Sequence, residues 1–252
     1  MPHQRQRTKG FTLIEMSIVI VIIGLIVGGV IASRSYVRNA ELNTIMNESK
    51  YYINAFNQFQ ALYSNVPGDM ATATNYWSGV TNGNGDGLID AGVATMTNEV
   101  FYAFQHLAAA GLISGSYTGA TSGPGGSYDA KIGVNVPMGD VSGVTYVFRH
   151  PSQADGVVSG DGFYQDGIYG HVLYVAAQPD ASAGAAGTNL PTTAFLTPKE
   201  AYQVDGKFDD GNATTGWITV AKTTVNCLTG TAYDTGATNG GTKNCWLILN
   251  MR

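Results

Sequence analysis

A short polar loop, residues 82–90, has the ligand spacing of an EF-hand-like calcium loop. The candidate ligands occupy positions 1, 3, 5, 7 and 9 of that pattern and are Asn82, Asn84, Asp86, the carbonyl of Leu88, and Asp90. Position 12, which usually supplies a bidentate Glu, is Val93, so the predicted affinity is weak, in the roughly 0.1 to 1 mM range of extracellular modules. Asn and Asp also cap their own backbone in turns without metal. The sequence therefore leaves a calcium site and a self-capped turn as alternatives.

Catalytic signatures are missing from the sequence, which contains no GxSxG elbow, no GxxxxGK[ST] loop and no HExxH helix. The four histidines are scattered: His3, His106, His150 and His171. The apolar neighbours of His106 predict a packing residue more readily than a metal ligand. Three acids lie close together in sequence and resemble a catalytic group: Asp205, Asp209 and Asp210. Since Asp-Asp-Gly is first a turn signal, we predict that the protein is not an enzyme.

The two cysteines, Cys227 and Cys245, both lie near the C-terminus. Neither belongs to a CxxC motif or has a histidine nearby in sequence, so zinc binding and thiol redox chemistry have little support. In a chain that has the texture of an exported protein, we expect one disulfide. Two buried free thiols are the alternative.

Charge is distributed unevenly along the 252 residues. Three of the 13 bases, Arg5, Arg7 and Lys9, lie in the first ten residues, which leaves 10 bases against 18 acids in the rest of the chain. A basic start on an acidic body indicates membrane topology. Without a basic patch on the body to neutralise phosphates, nucleic-acid binding is not predicted.

An apolar run of 23 residues, 11–33, follows this basic start and carries a single charge, Glu15. As a helix it would rise roughly 35 Å, enough to cross a hydrocarbon core of about 30 Å. An ordinary signal peptide has its small-residue cleavage site after the apolar run, whereas Gly10 precedes it. A carboxylate inside a bilayer costs about 2.5 to 3.5 kcal/mol on insertion scales, so we expect Glu15 to have a function.

The segment KGFTLIEMSIVIVIIGLI resembles the class III signal of type IV prepilins and of the pseudopilins of type II secretion. The resemblance implies that a prepilin peptidase cuts between Gly10 and Phe11, that Phe11 is methylated, and that Glu15 is required for assembly. It also implies an inner-membrane assembly platform and other pilin subunits as partners. The precursor would cross the bacterial inner membrane once and end in a periplasmic or cell-surface filament. Three function classes are in view. A structural filament subunit, as a pilus pilin or a secretion pseudopilin, is the leading prediction. A membrane-tethered adhesin or binding module is second, and a tethered enzyme, which would require a convergent pocket that the sequence does not indicate, is last.

The predicted architecture is α+β, a long N-terminal helix followed by an antiparallel sheet with short helices. The expected parts are a removed leader (1–10), a transmembrane or filament-core helix (11–34), its amphipathic continuation (35–66) and a globular head (67–252). The apolar stripe of the continuation comprises Tyr36, Val37, Ala40, Ile45, Tyr52, Ile53, Phe56, Phe59 and Tyr63. The predicted strands are Val144–Arg149, His171–Ala176, Trp217–Ala221 and Cys245–Asn250.

Two short helices are also expected. The first runs from about Asn98 to Ala110 and ends at a Gly111 cap. The second begins at the capping box of Thr197 and Glu200 and extends to about Phe208.

Overall fold

The structure, a computed structural model, describes residues 10–89, 99–120, 130–150, 170–177, 193–221, 226–236 and 240–251. The chain forms two compact units, Met1–Asn43 and Thr44–Arg252. Helix α1, Leu13–Tyr63, begins in the first unit and ends in the second. The predicted leader lies outside the described residues except for Gly10.

The first unit consists of the apolar beginning of α1. Its large apolar side chains from Leu13 to Val30 are exposed to solvent within the single chain. The helix stays unbroken through Gly24, Gly28 and Gly29. Among the residues that the structure describes, α1 is the one helix that is long and apolar enough to cross a membrane. Because burying apolar surface is favourable, this segment needs lipid or other protein around it.

The second unit contains an antiparallel sheet whose strands are β1 (Val144–Arg149), β2 (Val172–Ala177), β3 (Ile218–Val220) and β6 (Leu247–Asn250). The strand order is β1-β2-β6-β3, so the last strand of the chain lies between two earlier ones. A separate hairpin is formed by β4 (Leu228–Thr229) and β5 (Ala232–Tyr233). All these pairings are antiparallel, and the α+β prediction is confirmed.

Two short helices complete the second unit, α2 (Glu99–Ala109) and α3 (Pro198–Phe208). Helix α2 ends in a Schellman motif, in which Leu112 N–H bonds to the Leu107 carbonyl and Gly111 takes a φ of +70°. Helix α3 begins at Thr197, whose hydroxyl accepts from the backbone N–H of Glu200 while the Glu200 carboxylate accepts from the backbone N–H of Thr197. Both caps were predicted from the sequence.

The core of the second unit is aromatic. Within it, the ring of Tyr52 on α1 packs against Phe104 of α2 and Tyr146 of β1, at centroid distances of 5.8 and 4.9 Å. Phe56 packs in the same way against Phe148 at 5.1 Å. Aromatic pairs of this kind add about 0.5 to 1.5 kcal/mol beyond their area burial. The predicted stripe therefore holds the sheet and α2 on the helix.

The structure differs from the predictions in several details. Strand β2 begins and ends one residue later than predicted, and β3 is one residue shorter at each end. Tyr36, at 75% exposure, and Val37 are not buried, so the buried stripe begins later along α1 than predicted. Strand β6 starts two residues after Cys245 because Cys245 bridges to Leu196 instead of to the sheet. The β4–β5 hairpin was not predicted, since its strands are two residues each and carry no periodicity to detect.

Candidate functional site

The N-terminus of α1 is closed by a reciprocal cap between Thr12 and Glu15. The Glu15 Oε2 atom accepts hydrogen bonds from the backbone N–H and from the hydroxyl of Thr12, both at 2.8 Å. In return, the Thr12 hydroxyl oxygen accepts from the Glu15 backbone N–H at 3.3 Å. This is the capping box, and it satisfies backbone donors that a helix start leaves without partners.

Gly10 and Phe11 precede this cap and are outside the helix. The Phe11 side chain is 79% exposed, and Gly10 is exposed too. A peptide bond in exposed chain outside a helix is accessible to a peptidase, whereas a bond inside a hydrogen-bonded helix is not. The geometry at this junction is therefore compatible with cleavage between the two residues.

The assembly role predicted for Glu15 does not include its local partner, Thr12. The signal was present, because Thr12 to Glu15 reads [ST]-x-x-[DE] immediately before an apolar run, which predicts a capping box. Glu15 thus accepts from two neutral donors, both of them groups of Thr12. Hydrogen bonds from neutral groups orient a carboxylate and leave its charge uncompensated.

Residues 85–87 of the polar loop wrap around the carboxylate of Asp69. Asp69 Oδ1 accepts from the backbone N–H groups of Gly85 (2.7 Å) and Asp86 (3.0 Å), and Oδ2 accepts from Gly87 (2.8 Å). Asp69 is buried, and burial raises the pKa of this carboxyl above its ordinary value. Sequence reasoning missed Asp69 as the residue that organises the loop.

The predicted calcium ligands of this loop bond largely to backbone. Asn82 Oδ1 accepts from Thr74 N–H, Asn84 Oδ1 from Asp86 N–H, and Asp86 Oδ1 from Leu88 N–H, at 2.8 to 2.9 Å. The contacts of Asn84 and Asp86 span two residues and are those of a self-capped turn, whereas Asn82 joins the loop to Thr74. Asp90 lies outside the described residues.

Three carboxylates nonetheless meet at this loop, those of Asp69, Asp86 and Glu99, with ligand atoms within 4.8 Å of one another. The sequence had not joined Glu99 to the loop, because residue 99 begins a different element. Calcium binding stays a prediction, with Asp69 and Glu99 as additional candidate ligands.

The acids at the end of α3 act as turn and cap residues. Asp209 Oδ2 accepts from the backbone N–H groups of Trp217 (2.6 Å) and Ile218 (2.9 Å). Asp210 accepts from Asn212 N–H and from the Thr215 hydroxyl. These contacts agree with the turn interpretation of Asp-Asp-Gly.

Asp205, the third acid, joins three parts of the second unit. Its Oδ1 accepts from Gly211 N–H at 3.0 Å, and its Oδ2 accepts from the Tyr233 hydroxyl at 2.7 Å. The side chain is fully buried, and burial raises the pKa of Asp205 above its ordinary value. Burial raises the pKa of Tyr233 as well, so its hydroxyl remains a donor.

His106 is a structural residue that ties two loops to α2. Its Nδ1 accepts from Gly68 N–H at 2.9 Å, and its Nε2–H donates to the Thr81 carbonyl at 2.7 Å. Both ring nitrogens are therefore occupied, which fixes the neutral tautomer. Burial lowers the pKa of His106, which also favours the neutral form of the ring. The packing role predicted for this residue agrees with these contacts.

A disulfide joins Cys227 to Cys245, with a Cα–Cα distance of 5.2 Å. Both cysteines are fully buried. The bond connects the β4–β5 hairpin to the segment that leads into β6.

Residues 5–31 match the family model described as the prokaryotic N-terminal methylation motif. This motif is the signature of type IV prepilins and pseudopilins, and it supports a pilin-like or pseudopilin-like precursor. No curated protein and no solved structure gave a match to the chain. Together with the exposed apolar half of α1, the motif fits a membrane-anchored precursor.

Proposed function

We propose that the chain is the precursor of a structural subunit of a type IV pilus-like filament. A prepilin peptidase removes residues 1–10, the new N-terminal residue Phe11 is methylated, and the subunit is drawn from the inner membrane into the fibre. The observation that carries the proposal is Glu15, the one charge in the exposed apolar run 11–33, which starts at the Gly10–Phe11 junction. The match of residues 5–31 to the methylation motif supports it.

Cleavage changes the electrostatics of this site. Before cleavage Phe11 contributes an uncharged peptide nitrogen, and afterwards it carries an ammonium or methylammonium group. In the filament core, where the dielectric is low, each charge lowers the cost of burying the other, and removing one partner of such a pair costs about 3 to 5 kcal/mol. The Thr12 donors orient Glu15, and the ammonium of a neighbouring subunit supplies the opposite charge.

The same pairing sets the position of one subunit along the next. A neighbour's ammonium reaches Glu15 at one axial offset only, because Glu15 is the sole acid in the apolar run. The apolar side chains of residues 13–30 then cover one another instead of facing lipid. The second unit takes no part in this pairing and forms the head. A pseudopilin of a type II secretion system would use the same chemistry at its N-terminus.

Substitutions at Glu15 test the proposal. Glu15→Gln keeps a carbonyl that accepts from Thr12, so it removes the charge and retains the cap, whereas Glu15→Ala removes both. Glu41→Gln is the matched control, because Glu41 lies on the same helix and pairs with Arg38 at 2.8 Å. The measurement compares the amount of protein in sheared fibres with the amount in membranes.

We expect both Glu15 variants to insert into the membrane normally. Their amount in the fibre fraction should fall at least about tenfold, and each tenfold corresponds to ~1.4 kcal/mol. The Glu41→Gln control should assemble as the unmodified chain does. Normal fibre content in Glu15→Gln would show that the charge has no role in assembly.

A further inference from the structure

A solvent-open pocket lies in the second unit between α3, the turn that follows α3, and the β4–β5 hairpin. Its cavity volume is about 520 Å³, which is large enough for a small ligand. Tyr202 of α3 and Tyr233 of β5 form its aromatic wall, with ring centroids 5.9 Å apart and planes inclined by 61°. The proposed role in assembly does not use this pocket.

The walls of the pocket are fixed relative to one another. The buried carboxylate of Asp205 bonds to Gly211 in the turn and to the Tyr233 hydroxyl in the hairpin. The Cys227–Cys245 disulfide ties the other end of the hairpin to the chain beside Leu196, since the Cys245 N–H bonds to the Leu196 carbonyl at 2.9 Å. A site that is held in place before binding loses less conformational entropy when a ligand enters.

The chemistry of the lining is neutral and rich in hydrogen-bonding groups. No charged side chain lines the pocket in the part of the chain that the structure describes. Asn212, Thr231 and Thr235 also line the pocket, and their polar groups alternate with aromatic and small residues. The hydroxyls of Thr231, Thr235 and Tyr202 make no hydrogen bond to another described residue. The Tyr202 ring is 50% exposed, although covering an aromatic ring is favourable.

These properties exclude two ligand classes. An anionic ligand would be desolvated against a wall that offers no cation, and it would face the carboxylates of Asp205, Asp209 and Asp210, which act electrostatically on Tyr233. A purely apolar ligand would cover the threonine hydroxyls and leave them unpaired, at a cost of about 1 to 3 kcal/mol for each buried group. A ligand that fits has an apolar face for the Tyr202 ring and neutral hydroxyls around its edge.

We propose that this pocket binds a neutral saccharide, with one sugar ring stacked on Tyr202 and its hydroxyls bonded to Thr231, Thr235 and Asn212. Sugar rings present C–H groups on one face, and the negative face of an aromatic ring attracts such positive edges. The subunit would then carry a glycan-binding site on its head in addition to its assembly determinant. The proposal does not depend on filament formation, because every residue of the pocket lies in one unit of one chain.

Saturation-transfer difference NMR tests the site on the full-length chain in a zwitterionic detergent that has no sugar headgroup. The probes are the neutral disaccharides lactose, maltose and cellobiose, and a digalacturonate of the same size serves as the charged comparison. We expect a signal on the ring protons of at least one neutral disaccharide. The digalacturonate should bind at least about tenfold more weakly, which corresponds to ~1.4 kcal/mol.

Variants at exposed tyrosines assign the signal to the pocket. Tyr202→Ala should abolish it, whereas Tyr202→Phe should keep most of it because the ring is retained. Tyr76→Ala is the matched control, since Tyr76 lies elsewhere in the second unit and is 58% exposed. An unchanged thermal unfolding curve for Tyr202→Ala would show that the loss is local. The proposal is overturned by the absence of signal with all three disaccharides, by an equal signal in Tyr202→Ala, or by equal binding of the digalacturonate.

Discussion

The carboxylate of Glu15 accepts two hydrogen bonds from Thr12, one from the backbone N–H and one from the hydroxyl, each at 2.8 Å. The residue that we propose for assembly therefore also caps the start of the apolar helix α1. If Glu15 both caps the helix and pairs with a neighbouring ammonium, its carboxylate must exchange the Thr12 donors for the ammonium or bond to both.

Removal of the Thr12 hydroxyl should loosen the first turn of α1. Thr12→Val keeps the shape of the side chain and loses the cap, at a cost of about 0.5 to 2 kcal/mol, and Thr12→Ser keeps the hydroxyl. We expect amide hydrogen exchange at Glu15 and Met16 to become several-fold faster in Thr12→Val, and to be unchanged in Thr12→Ser. Equal protection in both variants would mean that the capping box does not hold the helix start.

Loss of the disulfide should destabilise the second unit. The bond closes a loop with a sequence separation of 18, for which chain-entropy estimates give about 3 kcal/mol. The double variant Cys227→Ser, Cys245→Ser should therefore unfold at a lower urea concentration than the unmodified chain. Labelling of both cysteines by an alkylating reagent in unreduced protein would contradict the disulfide.

Mild acid should destabilise the protein through His171. Burial, assisted by the neighbouring His150, lowers the pKa of His171 to about 4 from its ordinary 6.5. The unfolded chain therefore takes up a proton at higher pH than the folded chain does, and stability is lost as pH falls from about 6.5 towards 4. The loss is at most about 3 kcal/mol, from 1.36 kcal/mol per pKa unit.

The variant His171→Phe isolates this contribution, because it keeps the ring that packs against Phe56 at 5.4 Å. Urea unfolding at a series of pH values should give a shallower acid slope for the variant than for the unmodified chain. In the variant and the unmodified chain alike, the raised pKa values of Asp69 and Asp205 increase stability as the pH falls, which opposes the effect of His171. Identical slopes would refute the assignment to His171.

Calcium should stabilise the second unit through the loop at residues 82–90. A cation would offset the repulsion among the carboxylates of Asp69, Asp86 and Glu99, which lie within 4.8 Å of one another. Calcium at about ten times its dissociation constant stabilises a protein by about 1.4 kcal/mol. We expect millimolar calcium to raise the melting temperature and Asp86→Asn to remove this effect, while the exposed Asp140→Asn control keeps it. Equal melting in calcium and in chelator would leave the loop as a self-capped turn.

Sequence patterns predicted the parts of this fold that depend on local interactions. The capping box at Thr197, the glycine cap at Gly111 and strand β1 follow from short-range signals, and all three are present in the structure. The pairing of β6 between β2 and β3 joins segments far apart in sequence, and no local pattern encodes it.

The candidate sites show the same difference between residues that local sequence identifies and residues that only folding brings together. Glu15 stands out in the sequence because one acid interrupts an apolar run. Asp69 and Glu99 approach Asp86 only through folding, so their places in the acidic group could not be predicted from spacing. Tyr202 and Tyr233 likewise lie on separate elements, and the pocket between them depends on the buried Asp205 that joins those elements.

The intact mass of the protein purified from native membranes shows whether the chain is processed as a prepilin. We expect a mature chain that begins at Phe11, lacks residues 1–10 and carries one added methyl group on its N-terminal nitrogen. A matched sample of the Gly10→Val variant should retain the leader, because the residue before the predicted cut is changed. A mature chain that still begins at Met1, or one cut near Ser33 after the apolar run, would show that the protein is not processed as a prepilin.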